Sequence, residues 1–419
     1  MTSIEDQTEI YKVPLDRTKS NTNSTENNSY PCHEYTIRGL LDHEVLPWSE
    51  FCASIFSYKA NPPPAEYFYR HYANDPSTRS PGSSKLIRCA FLGNTMVASC
   101  RIFLRTISSG SKEGRIRTGG IGEVCTAVNH RRRGLSTKLL ENAIAIMTER
   151  SDFQLSSLHA APTFFPLYES LGYCAPPPTN SLGGNRWSIV NLCLGKDFGT
   201  ISISESEAIS IRPAIFPQDT AELQSLHTKY SEERLAGCIV RSTDYWNDYL
   251  SKELDNSLFV ATSPFDKSII AWISIKPCHG ESNDSFCIQE FGADSALIQK
   301  EEALTLGHIV GSMFIHIGIG NDNESDKFEV SLKVPGFLAD ELRQSSSSGR
   351  SFGRSFEFDW ASECTGVDSG WMYRGVGACD TRVQDFLHLV RGTADPGKDD
   401  EQLQLHSQRQ HFVWPSDSF

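Results

Sequence analysis

One segment of the sequence brings together residues that could hold a phosphorylated ligand. Within Gly119–Leu140, a stretch that predicts a strand leads into a basic turn, and a helical pattern starts directly after the turn. The turn contains Arg131, Arg132 and Arg133, whose guanidinium groups suit phosphate oxygens, and then Gly134. Backbone amides at a helix start converge on one spot, and a glycine lets a ligand approach them closely. The segment therefore predicts a pyrophosphate-binding turn.

A second segment lies downstream of this turn. Phe165–Tyr173 reads FPLYESLGY, and Tyr168 stands four residues before Gly172. Together with Arg131–Ser136 (RRRGLS), it resembles the GNAT superfamily of acetyltransferases, whose signature is R/Q-x-x-G-x-G/A. Ser136 departs from the usual Gly or Ala, but it is small. In this resemblance Tyr168 has the position of the general acid that protonates the departing thiolate. The alternative for Tyr168 is a half-buried aromatic residue of a helix.

The resemblance implies acetyl-coenzyme A (acetyl-CoA) as co-substrate. The end of the motif strand would pair with the pantetheine arm through Val124 and Thr126, and the Val124 N–H would be the oxyanion donor to the thioester carbonyl. The cofactor-binding residues expected from it are Val124, Cys125, Thr126, Arg131, Arg132, Arg133, Gly134, Leu135, Ser136, Thr137 and Thr163.

The general base is not evident from the sequence. Glu123 lies on the motif strand, but strand alternation could aim it away from the site. His159 ends the strand that follows the motif helix, and a buried structural histidine is the alternative there. In the resembling tandem family described below, the terminal carboxylate reaches the site, which makes Phe419 a third candidate.

The wording GGIGEVxTxxxHRRRGL most resembles the enhanced intracellular survival family, which has two GNAT domains in tandem. Tyr230–Leu250 and Gly370–Arg374 resemble elements of that family's second domain. The second half lacks the arginine-glycine signature and reads Phe291–Asp294 (FGAD) at the corresponding place. We expect a degenerate GNAT fold there that walls the acceptor pocket, or one that only packs. That family also carries a third, sterol-carrier-like domain, and we expect no room for a complete one in this sequence.

The chain of 419 residues is long enough for two domains. One pattern of strands and helices is used twice along the chain, which predicts an α+β fold, and the resemblance implies two GNAT-like domains, each a mixed twisted sheet flanked by helices. In the first, a strand at Asn185–Leu194 is expected to complete the sheet, and the two middle strands should splay apart around the cofactor. The predicted parts are a disordered tail (1–33), a catalytic domain (34–196), a linker (197–208), a degenerate domain (209–391) and a C-terminal tail (392–419).

The net charge of −13 argues against a nucleic-acid partner. No apolar run is long enough for a membrane helix, and the acidic N-terminus lacks the pattern of a signal peptide. The 12 cysteines include no CxxC pair or metal-ligand spacing, so we expect buried thiols and no metal. These features predict a cytoplasmic protein, with the nucleus as alternative.

The acceptor is predicted only as a class. Aromatic residues from Tyr67 to Tyr72 lie where GNAT enzymes form the acceptor wall, although a core role fits their spacing too. Asp75 and Glu66 could attract a cationic acceptor, or could lie on a solvated face. We therefore predict an N-acetyltransferase acting on a primary amine of a small molecule or lysine, with a homo-oligomer as one possibility. The alternatives are a non-catalytic acyl-CoA sensor or scaffold and a protein lysine acetyltransferase.

Overall fold

The protein is described by a computed structural model. It covers residues 8–14, 32–58, 61–110, 114–150, 152–175, 185–195, 209–278, 285–294, 306–316, 327–347, 356–368, 370–377, 379–391, 410–411 and 413. The predicted linker and most of the predicted C-terminal tail, including Phe419, lie outside these residues.

Two mixed sheets form the framework, which confirms the predicted α+β class. The strands of the first sheet are, in order across it, β1 (Glu9–Pro14), β2 (Cys32–Gly39), β3 (Ile87–Leu92), β4 (Thr95–Ser109), β5 (Arg115–Thr126), β6 (Leu155–His159) and β15 (Trp371–Gly375). A side branch joins β4 through β9 (Leu235–Ile239) and β16 (Gln410–His411). The second sheet runs β14 (Phe356–Asp368), β7 (Asn185–Gly195), β13 (Lys327–Pro335), β12 (Ser285–Ala293), β11 (Ile269–Pro277), β10 (Leu258–Thr262) and β8 (Ser210–Pro213).

Helices cover the sheets. They are α1 (Val45–Phe56), α2 (Ala65–Ala73), α3 (Leu135–Glu149), α4 (Phe165–Ser170), α5 (Thr220–His227), α6 (Ser251–Leu254), α7 (Leu306–His316), α8 (Gly336–Ser347) and α9 (Thr381–Arg391). Two further helical segments have π-type hydrogen bonding, at Thr228–Glu232 and Tyr245–Leu250.

The halves exchange strands, which the sequence did not reveal. The strand β7, expected to complete the first sheet, lies in the second sheet between β13 and β14. In return, β15 from the second half pairs with β6 in the first sheet. Trp187 of β7 is buried in the core of the second sheet. The two halves therefore share their sheets and are held together by backbone hydrogen bonds as well as by side-chain packing.

The N-terminal segment also differs from expectation. Residues 9–14, predicted to belong to a disordered tail, form the edge strand β1 against β2. Tyr11 and Val13 of this strand pack against the core below α3, so alternate residues supply the apolar face that keeps this edge strand on the sheet.

Two hydrophobic clusters cover the opposite faces of the first sheet. The α3 and α4 face contains Leu139, Met147 and Tyr168. The α1 and α2 face contains Trp48 and Phe68. Close packing of α3 requires a glycine on β5, because a Cβ on Gly119 would lie 2.2 Å from the Met147 sulfur.

Candidate functional site

The start of α3 has the backbone geometry that a close ligand contact requires. Gly134, directly before the helix, has φ +76°, which glycine adopts without strain. A Cβ at Gly134 would lie 2.8 Å from the hydroxyl oxygen of Tyr11. That hydroxyl donates to the carbonyl oxygen of Arg133 at 3.2 Å. The edge strand β1 thus reaches the basic turn, a contact that the sequence did not predict.

The three arginines of the turn have different surroundings. Arg131 and Arg132 are exposed, and Arg132 has φ +61°. The Nε of Arg131 donates to the carbonyl oxygen of Thr126 at 3.2 Å. Arg133 is half-buried, and its Nη1 donates to the Tyr35 hydroxyl at 2.7 Å. The turn therefore has two guanidinium groups facing solvent and one tied to the sheet.

Other predicted cofactor residues join the strand end to the helix start. The hydroxyl groups of Thr126 and Ser136 lie 3.0 Å apart, so the serine that replaces the usual Gly or Ala bridges β5 and α3. Leu135 and Cys125 are buried in hydrophobic clusters, which leaves only their backbone groups for a ligand. Thr137 is half-buried one residue beyond Ser136.

The end of β5 extends past its pairing with β6. The parallel pairing of these strands covers Thr118 to Ile121 and stops at the Ile121–Leu158 pair, one residue before β6 ends. β5 continues to Thr126, so its last residues, including Val124, have no partner in β6; this unpaired side of β5 is called the gap below. Thr163 is exposed in the turn between β6 and α4. The expected splaying of the two strands around a cofactor stays a prediction.

Tyr168 lies on α4 with its side chain 8% exposed. Its ring makes an edge contact with Tyr173, with the ring centroids 6.1 Å apart. Burial raises the pKa of the Tyr168 hydroxyl to about 12. The group therefore keeps its proton at neutral pH and could donate it.

Glu123 lies at an irregularity of β5. The β4–β5 register passes from the Ser99–Cys125 pair to the Arg101–Gly122 pair, so two residues of β5 face one residue of β4. Glu123 has φ +53°, which breaks the strand alternation that made its direction uncertain. Burial raises the pKa of its carboxyl group, while Arg101 and a histidine of α2 act in the opposite direction. Its Oε2 is buried without a hydrogen-bond partner among the described residues.

A buried ionic network surrounds this glutamate. Arg101, 2% exposed, places its guanidinium group 3.5 Å from both Glu123 and Asp75. Asp75 also pairs with Arg105 at 2.8 Å. The suggestion that Asp75 attracts the acceptor or lies on a solvated face is therefore wrong, because its carboxylate is fully buried between two arginines.

His159 ends β6 on the other side of the gap. Its Nε2 lies 2.9 and 3.0 Å from the two carboxylate oxygens of Asp368. The Trp371 ring contacts the imidazole at 5.3 Å between centroids. Asp368 and Trp371 come from the second half, so the exchanged strands bring residues of that half to the gap.

The second half also reaches α2. Glu253 of α6 pairs with His71, the histidine of α2 that acts on Glu123. Tyr67, one turn before His71, packs on that ring at 4.0 Å between centroids. Of the aromatic residues from Tyr67 to Tyr72, Phe68 is in the core and Tyr67 remains 38% exposed. The structure thus brings together groups that the sequence analysis did not combine.

The residues beside Glu123 that the sequence analysis did not identify have only weak signals in the sequence. Arg101 and Arg105 interrupt an otherwise apolar strand, which could have indicated a buried charge network. His71 and Glu253 are far apart in the sequence and only the fold joins them.

Two features are absent from the described ranges of the chain. No group of three or more His, Cys, Asp or Glu side chains there is placed to hold a metal ion. No helix within them has both the length and the apolarity needed to cross a membrane.

Comparison with known proteins agrees with this geometry. Residues 36–175 match the model of the acetyltransferase (GNAT) domain. The protein is therefore an enzyme of the acyltransferase class. Its first half is a GNAT domain, as its resemblance to that superfamily predicted.

A solved structure with a similar fold covers most of the chain. A probable N-acyltransferase of unknown function from Enterococcus faecalis V583 is 12% identical, with 84% of this chain and 74% of that chain covered and a TM-score of 0.53. Eis1 from Mycobacterium abscessus is 13% identical, with 81% and 73% covered and a TM-score of 0.46. The search of curated proteins found no match.

Proposed function

We propose that this protein transfers the acetyl group of acetyl-CoA to a primary amine of a small molecule or lysine. The observation that supports this most is the end of β5 that is unpaired on the side of β6 and leads into the basic turn before α3, within a GNAT domain. An extended thioester arm fits beside an unpaired strand edge, and a diphosphate fits the start of a helix.

The residues of the turn fit coenzyme A. Gly134 presents its backbone without a side chain, and the first amides of α3 point out of the helix start. Arg131 and Arg132 add exposed positive charge suited to phosphate oxygens. We assign the pyrophosphate to this turn and the pantetheine arm to Val124 and Thr126.

Three groups of the chain carry the proposed chemistry. Acetyl-CoA supplies the activated acetyl group. Glu123 accepts a proton from the acceptor ammonium group, so that the amine nitrogen can form the amide bond. The Val124 N–H stabilises negative charge on the carbonyl oxygen. Tyr168 donates its proton to the sulfur as the carbon–sulfur bond breaks. The nitrogen loses its second proton, and Tyr168 takes up a proton again, so that the products are the amide and the free thiol.

Glu123 is preferred over His159 as the base. The Nε2 of His159 is occupied by Asp368, whereas the buried Oε2 of Glu123 has no partner in the described part of the chain. The raised pKa of Glu123 also makes its carboxylate a better proton acceptor than an ordinary one. The terminal carboxylate of Phe419 lies outside the described residues.

The position of the second half of the chain favours a small molecule as acceptor over a folded protein. Glu253 contacts the acceptor face of α2, and Asp368 contacts the end of β6, so the second half borders this face at two places. The second half also lacks the arginine-glycine signature after β12, and on this strand the Trp272 ring packs onto Gly292, where a Cβ would lie 1.8 Å from it. We infer that this half shapes the acceptor pocket and does not bind acetyl-CoA itself.

The test is a thiol-release assay with acetyl-CoA and a panel of polyamines, lysine and aminoglycosides. We expect turnover with at least one amine. Arg133→Ala with Gly134→Asp should abolish coenzyme A binding while the fold survives. Arg117→Ala is the control, because this arginine is exposed on β5 and pairs with Asp152 away from the turn. Tight acetyl-CoA binding without any transfer would instead support a sensor or scaffold.

A cytoplasmic location, with the nucleus as alternative, and a possible homo-oligomer stay predictions from the sequence.

A further inference from the structure

A partly buried contact between a histidine and a glutamate joins the two halves beside the proposed base. The Nε2 of His71 on α2 lies 3.1 Å from Oε2 of Glu253 on α6, with the two side chains 10% and 15% exposed. Arg70 contacts the other carboxylate oxygen at 3.0 Å. Burial raises the pKa of Glu253, but His71 and Arg70 outweigh it and lower the pKa. Glu253 is therefore ionised at neutral pH.

The carboxylate fixes the state of the imidazole. A carboxylate accepts a hydrogen bond, so it favours a hydrogen on that nitrogen. The ring itself is held from two sides, by Tyr67 at 4.0 Å and by Tyr249 at 5.7 Å between centroids. Little freedom remains for the His71 side chain.

Arg101 connects this pair to Glu123. Its Nη2 donates to the backbone carbonyl of His71, and its Nη1 donates to Oε1 of Glu123, both at 3.5 Å. His71 also lowers the pKa of Glu123, against the effect of burial. The imidazole thus acts on the glutamate both through the arginine and electrostatically.

We infer that His71, held by Glu253, is a positioning residue for Glu123, so that the second half of the chain helps to control the general base. This inference rests on the proposed function, in which Glu123 is the base. It gives the second half a role in the reaction beyond bordering the acceptor pocket.

The groups that face His71 determine the direction in which the pKa of Glu123 changes when His71 is replaced. These are Arg70 and Tyr67 on α2, Glu253 on α6, Tyr249 of the π-helical segment, Glu123 on β5 and Arg101 on β4. Because His71 lowers the pKa of Glu123, removal of the imidazole should raise that pKa. The acidic limb of kcat/KM then moves to higher pH.

The experiment compares pH profiles of four variants in the full chain. His71→Asn should move the acidic limb up by about 1 pH unit, and Glu253→Gln should move it in the same direction by less. His71→Lys places an ammonium group at this position and should keep the limb near that of the unmodified protein. Arg79→Ala is the control, since it breaks the contacts with Asp244 and Asp248 that join the halves elsewhere.

Two results would overturn the inference. One is an unmoved limb in both His71→Asn and Glu253→Gln. The other is an equal loss of activity in all four variants with no shift of the limb, which would mean that the contact only holds the halves together. Should no amine be acetylated, the proposed function fails on its own. The Glu123 carboxyl is then titrated by isotope-edited infrared spectroscopy, with Glu123→Gln to assign its band, and the same shifts are expected.

Discussion

The Arg105 Nη1 lies 2.8 Å from Oδ2 of Asp75, and both side chains are shielded from solvent. Burial would raise the pKa of Asp75, but Arg105 and Arg101 outweigh it and lower the pKa. Such a group adds stability above its unfolded-state pKa near ~3.9 and loses this contribution as pH falls through its lower folded-state pKa. The network thus stabilises the fold beside Glu123 at neutral pH.

We predict that Asp75→Asn lowers the free energy of unfolding at pH 7 by about 3–5 kcal/mol, because two buried guanidinium groups lose their carboxylate. Urea titration measures this, and the difference between the proteins should shrink as the pH falls towards the acid range. Asp152→Asn, at a more exposed carboxylate with two arginine partners, should cost about 0–1 kcal/mol. Equal losses in the two variants would refute the role of burial.

Gly134→Ala is predicted to weaken acetyl-CoA binding roughly tenfold, or about 1.4 kcal/mol. The new Cβ would meet the Tyr11 hydroxyl at 2.8 Å and would occupy the face that a ligand must approach. Gly93→Ala is the matched control, since Gly93 also has positive φ (+59°) but no atom within 4 Å of the added Cβ. Calorimetric titration of both proteins gives the two dissociation constants. Equal affinities would remove the turn from the cofactor site.

Elements formed by residues that are close together in the sequence were predictable from the sequence. The order of strand, basic turn and helix at β5 and α3 was predicted, because apolar periodicity and the glycine turn mark it. The turn residues and Tyr168 were identified by resemblance to a family, and their positions around the gap follow from the chain order of strand, turn and helix.

Long-range pairing was not predictable in the same way. The alternation in β7 shows which residues are buried but not which sheet buries them, so the strand exchange remained hidden. The direction of Glu123 depends on a bulge that has no sequence mark of its own. His71 and Glu253 meet only because the halves pack together, and a single sequence does not report that contact.

Tyr168→Phe should lower kcat by about 100-fold or more and leave KM for acetyl-CoA little changed, because only proton donation to the sulfur is lost. Tyr173→Phe is the control in the same aromatic pair. The Tyr173 hydroxyl bonds to Ser156 at 2.7 Å, so its loss should cost about 1 kcal/mol of stability and spare turnover. Steady-state kinetics separate the two variants. If both lower kcat alike, the acid is another group.

The pH profile should identify the base. Since burial raises the pKa of Glu123, the acidic limb of kcat/KM should lie above the ordinary range of a glutamate, near ~4.3. Glu123→Gln should lower kcat by about 10²–10⁴-fold and abolish this limb. Tyr168, with its pKa raised to about 12, should keep its proton across the measurable range, so no alkaline limb is expected from it.

Two further variants make this test specific to Glu123. Glu66→Gln removes an exposed carboxylate of α2 and should leave the profile unchanged. His159→Asn removes the rival base and should leave the acidic limb in place. If the limb instead disappears in His159→Asn and persists in Glu123→Gln, the proton is taken by the histidine that Asp368 holds on the opposite side of the gap.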